Sequence, residues 1–62
     1  MKAEYYSEVE LEDGTVKGLY HDDELEDDEI KQQVTLITTK EPLEVKKTLK
    51  WDSEREAHLI KV

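Results

Sequence analysis

Apolar and polar residues alternate along residues 5–21, the pattern of strands with one buried face. Asp13-Gly14 interrupts the alternation once and is a strong hairpin signal. A two-residue loop there pairs Leu11 with Val16, Glu10 with Lys17, Val9 with Gly18 and Tyr6 with His21. Opposite residues share a face. One face then collects Tyr5, Val9, Leu11, Val16 and Tyr20. The other collects Tyr6, Glu8, Glu10, Glu12, Lys17, Leu19 and His21. Residues 1–21 are therefore expected to form an N-terminal β-hairpin.

Residues 22–29 break this pattern and predict an acidic loop or short helix. Asp22 or Asp23 suits an N-cap, and early acids suit a helix N-terminus. Leu25 is the one apolar anchor of the stretch. Residues 30–40 are rich in Val, Thr, Leu and Ile and predict a strand. A turn at Glu41-Pro42 would pair Thr38 with Val45, Leu36 with Lys47, Val34 with Leu49 and Gln32 with Trp51. A strand over residues 43–51, a turn over 52–55 and a strand over 56–62 complete a three-stranded meander over 30–62. It sets Leu49 opposite His58 and Val45 opposite Val62. The expected fold is all-β: one small domain of about five antiparallel strands, as a half-open barrel or two packed sheets.

Composition narrows the function classes. The chain has 62 residues, 17 acids against 9 bases, and a net charge of −8. A chain this short buries only about 60% of its unfolded surface, so its core is thin. Cys is absent, which removes disulfides and thiolate metal sites and fits a reducing cytoplasm. No apolar run reaches the roughly 20 residues of a membrane span. The net charge disfavours direct nucleic-acid binding. Neither a signal core behind Met1-Lys2-Ala3-Glu4 nor a lipidation motif at Leu59-Ile60-Lys61-Val62 is visible. The chain reads as a complete, cytoplasmic polypeptide.

Resolved along the chain, the charge is uneven. Residues 1–30 hold twelve acids and two bases, a net of −10; residues 31–62 hold seven bases and five acids, a net of +2. Seven of the eight residues in 22–29 are carboxylates. Glu8, Glu10 and Glu12 alternate along one strand at about 6.8 Å, against ~3.4 Å between phosphates on one DNA strand. Strand and loop together predict a negative, nucleic-acid-like surface. The bland alternative is an acidic face that only keeps the protein in solution.

Other chemistry is poorly represented. Residues 22–29 contain no Gly and no EF-hand spacing, so no metal site and no cofactor is expected. Ser7 and Ser53 sit in no nucleophile-elbow motif, and there is no Gly-rich phosphate loop. No catalytic residue is assigned and enzyme activity is not expected. His21 reads as a surface histidine, His58 as a satisfied core or rim histidine, and Trp51 as the edge of the core.

In composition the chain is similar to small acidic proteins that phages and mobile elements use to block host machinery, some by imitating DNA. That resemblance rests on charge alone. The function expected is an inhibitor or binding protein. Glu8, Glu10, Glu12, Asp22, Asp23, Glu24, Glu26, Asp27, Asp28 and Glu29 would engage a basic partner protein, of the kind that binds nucleic acid. The alternative is an adaptor β-barrel docking by an edge strand or its Trp51 side, and a homodimer through an edge strand is a further option.

Overall fold

The computed structural model describes residues 3–61. In chain order the elements are β1 (Tyr5–Leu11), β2 (Val16–His21), α1 (Asp27–Ile37), β3 (Pro42–Asp52) and β4 (Ala57–Lys61). The strands form one open antiparallel sheet in the order β2-β1-β3-β4. The expected small single domain built mostly of antiparallel sheet is borne out, with four strands among the described residues where about five were expected; in place of a half-open barrel or two packed sheets the strands form one open sheet with one helix. β1 is antiparallel to both β2 and β3, so those two run parallel. Parallel strands need a crossover, and α1 supplies it.

The first hairpin forms where expected but with a different register. Tyr5 pairs with His21, Ser7 with Leu19, Val9 with Lys17 and Glu10 with Val16. The loop has three residues, 12–14, because the Leu11 and Gly14 amides donate to the Thr15 and Leu11 carbonyls at 2.8 and 2.9 Å. Gly14 takes φ 86°, the left-handed conformation that closes such a loop at low cost. Asp13 Oδ1 accepts from the Thr15 amide and hydroxyl at 3.0 and 2.6 Å.

A one-residue slip exchanges the faces of β2. Leu19 and His21 therefore join Val9 and Leu11 on the α1 side. Val16 and Tyr20, expected there, lie on the other face with Tyr6. Gly18 now lies under the Tyr6 ring, where a Cβ would come within 2.6 Å of the Tyr6 hydroxyl.

The larger departure is residues 30–40, expected as a strand and folded mostly as α1. Asp27, Asp28 and Glu29 occupy its first turn, where carboxylates oppose the positive end of the helix dipole. Ile30 and Val34, four residues apart, form the buried stripe. The β-branched content that suggested a strand is accommodated. Thr35 donates its hydroxyl to the Lys31 carbonyl at 2.9 Å, and Thr38 closes the last turn through its amide to Val34 at 3.0 Å. Leu36 points outward and is 79% exposed, so it shares no face with Val34. The hairpin expected around Glu41-Pro42 does not form; Pro42 opens β3, whose partner is β1.

β3 and β4 form the expected second hairpin, with its turn displaced by one residue to 53–56. Trp51 pairs with His58 and Asp52 with Ala57, and a bulge follows. The turn holds Glu56 at φ 52°. Asp52 Oδ1 accepts from the Glu54 amide at 3.0 Å, and Arg55 donates to Oδ2 at 2.8 Å. The pairing expected between Val45 and Val62 lies outside the described residues.

The core consists of Val9, Leu11, Ile30 and Val34, flanked by Leu19, Leu25 and Val45. It lies between α1 and one face of the sheet. Among the described residues, no helix is long and apolar enough to cross a membrane.

Candidate acidic interface

Pairing β1 with β3 brings the acidic half of the sequence against the basic half. Glu8 meets Lys47 at 3.4 Å and Glu10 meets Lys46 at 3.3 Å. Glu4 meets Lys50 at 3.9 Å, and Asp13 pairs with Lys40. Each pair is solvent-accessible and individually weak, yet the pairs on Glu8 and Glu10 neutralise the carboxylates of β1. Glu8 also accepts from the Tyr6 hydroxyl at 2.9 Å. These strand carboxylates are therefore occupied within the fold.

The ten acidic residues singled out above fall into three places. Glu8 and Glu10 lie on the sheet face away from α1, among Lys47 and Lys46. Glu12 is exposed in the first hairpin loop. The other seven, Asp22, Asp23, Glu24, Glu26, Asp27, Asp28 and Glu29, follow the opposite end of β2. Six residues of strand separate these ends, about 20 Å. All seven are exposed, and among the described residues none makes an ion pair. Residues 22–26 form the connection and residues 27–29 the first turn of α1. Asp27, Asp28 and Glu29 thus serve the helix as well as the surface.

His21 anchors the start of this connection, a role its expected surface position did not suggest. Its Nδ1 donates to the Asp23 carbonyl at 2.7 Å, and its ring stacks on Tyr5 at 5.5 Å. With Nδ1 as the donor, Nε2 is left to accept from Ser7 Oγ at 2.8 Å. Ser7 in turn accepts from Thr48 Oγ1 at 2.9 Å. The Ser7–His21 pair has the spacing of a nucleophile and base. Ser7 is 0% exposed, however, so its hydroxyl is sealed from any substrate. Only the correct register makes Ser7 and His21 diagonal neighbours, which is why the sequence did not reveal them.

The sheet face away from α1 carries an aromatic group. Tyr6 and Tyr20 lie 4.8 Å apart by ring centroid, and His58 lies 5.4 Å from Tyr20 and 5.1 Å from Trp51. His58 is half-buried and donates through Nε2 to the Ala3 carbonyl at 2.8 Å. Near the opposite end, a shallow depression of about 510 Å³ is lined by Glu12, Thr35, Thr39, Lys40, Glu41 and Pro42. Among the described residues, no three His, Asp or Glu side chains converge in a metal-ligand group.

Titration follows this geometry. The Lys40 ammonium, helped by Thr15, holds the Asp13 carboxyl well below its usual range. Arg55 lowers Asp52, aided by the turn amides. The hydrogen bond to Glu8 pushes the Tyr6 hydroxyl up, and Glu10 followed by Glu44 pushes Lys46 up. A lowered carboxyl stabilises the fold above its unfolded value of about 3.9, and that contribution fades as pH falls through the folded value. A raised Tyr or Lys stabilises below about 10 and loses its effect as pH rises beyond it. Urea unfolding of the wild type and Asp13→Asn should therefore show a stability gap at neutral pH that narrows below about pH 4. A gap independent of pH would remove the Asp13–Lys40 pair from the account.

Comparison of the chain with protein-family models, with curated proteins and with solved structures finds no match.

Proposed function

We propose that this chain is a binding or inhibitor protein of the cytoplasm that engages a basic surface on a partner protein, one that itself binds nucleic acid. The contact would be made by Asp22, Asp23, Glu24, Glu26, Asp27, Asp28 and Glu29. One observation carries the proposal: these seven carboxylates are exposed and unpaired among the described residues, while Glu8 and Glu10 of β1 are engaged by Lys47 and Lys46 of β3. A surface that grips phosphates with Lys and Arg would meet concentrated negative charge here, seven carboxylates within the eight residues 22–29. The mechanism is occlusion with electrostatic steering and requires no bond making.

The test begins with capture of partners from a bacterial lysate at low salt, a salt-step elution and mass spectrometry. The purified partner is then titrated against the chain. Affinity should fall steeply between low and high salt. Affinity that does not change with salt would contradict the proposal. The second reading, an adaptor that docks by its Trp51 side, is favoured by the aromatic group of Tyr6, Tyr20, Trp51 and His58 on the sheet face away from α1. In that case Trp51→Ala abolishes capture, and replacing the loop acids by Asn does not.

A further inference from the structure

The two edges of the sheet differ in character. β2 runs directly into Asp22 and Asp23 and carries exposed Lys17. β4 reads Ala-His-Leu-Ile-Lys, and its outer edge has no strand neighbour among the described residues. Leu59 and Ile60 on it are 54% and 48% exposed. An apolar strand with unmet amide and carbonyl groups is a template for another strand. At one end of this edge stands Lys61 and at the other Glu56, and among the described residues neither has an ion-pair partner.

We propose that β4 pairs antiparallel with β4 of a second copy across a two-fold axis, joining two four-stranded sheets into one. The charges at the two ends of the strand select this occupant. An isologous antiparallel seam lays the Lys61 end of each strand against the Glu56 end of the other, so the complementary pair forms twice. In that register Ala57 stands opposite Ile60. Both lie on the α1 side of their own sheet, because their β3 partners Asp52 and Lys50 share a face. Opposite residues on one face are what a continuous sheet requires.

The acidic connection explains why the seam is β4 and not β2. A β2–β2 seam would bring Asp22 and Asp23 of both copies together. A β4–β4 seam leaves the two β2 strands seven strand spacings apart, about 34 Å. That distance exceeds the Debye length of about 8 Å several-fold at physiological ionic strength, so the acidic segments do not repel. It also leaves both segments accessible at the outer edges, and the dimer stands whether or not they bind a partner.

Sedimentation equilibrium of the full chain from about 10 μM to about 1 mM tests the seam, a range chosen for an interface of low-end size. A reversible monomer–dimer equilibrium is expected. Lys61→Glu and Glu56→Lys should each weaken it about tenfold by replacing two attractive pairs with two repulsive ones. The double swap should bring it back to within about threefold of wild type. Circular dichroism of each variant checks that the exposed substitutions leave the fold intact. A monomer throughout the range would overturn the proposal. So would a dimer that neither swap weakens, or a double swap that fails to restore it.

Discussion

Ile30→Ala should leave the domain largely unfolded at 25 °C. Ile30 is 1% exposed and, among the described residues, is one of four buried hydrophobic residues, with Val9, Leu11 and Val34. Truncating a buried Ile removes its transfer free energy and leaves a cavity, a combined loss of about 2–5 kcal/mol. A single core in a chain this short supplies no more than about 3–5 kcal/mol in total. The loss therefore consumes most of the stability. Far-UV circular dichroism and a urea titration read it directly. Leu36→Ala is the control: its side chain is 79% exposed, and the change should stay within about 0.5 kcal/mol. A strand over residues 30–40 would place Leu36 beside Val34 and make both truncations costly. Unequal costs are the signature of the helix.

Gln33→Pro should be nearly as damaging, for a different reason. Gln33 is exposed in the middle of α1 and contributes no side chain to the core. Proline there removes the amide that bonds one turn back and clashes with the preceding turn, about 3 kcal/mol in a helix interior. Gln33→Ala, at the same position, should be neutral or slightly stabilising, since Ala is the better helix former. A urea midpoint that collapses for proline and holds for alanine locates the effect in the helical backbone. Equal midpoints for the two would contradict the helix.

Local signals located the hairpins and the acidic break. Asp13-Gly14 marked the first turn, and the alternation of β1 was legible residue by residue. The register was not, because Asp13-Gly14 serves a two-residue loop as readily as the three-residue loop with Gly14 in the left-handed region. One residue of slip then exchanged Leu19 for Tyr20 on the buried face. The helix was legible in part: acids at 27–29 followed by Ile30 and Val34 four apart is an amphipathic pattern. The β-branched content of residues 34–39 outweighed it, although tertiary context overrides such propensity when β1 needs a cover. The charge asymmetry was plain in the sequence, but its internal half was hidden. That β1 lies against β3 is a long-range fact, and only that fact turns Glu8 and Glu10 from a free surface into partners of Lys47 and Lys46.

Association kinetics with the captured, purified partner test most directly the claim that the working charge lies in residues 22–29. Two variants are compared with wild type by stopped flow at low and high salt. One carries Asn at positions 22, 23, 27 and 28; the other carries Gln at positions 8 and 10. Circular dichroism confirms that each is folded. The first should associate at least about tenfold more slowly at low salt and converge with wild type at high salt, as loss of steering requires. The second should stay within about twofold, because Glu8 and Glu10 are already paired with Lys47 and Lys46. An unchanged on-rate for the first variant, or an equal loss in both, would contradict the account.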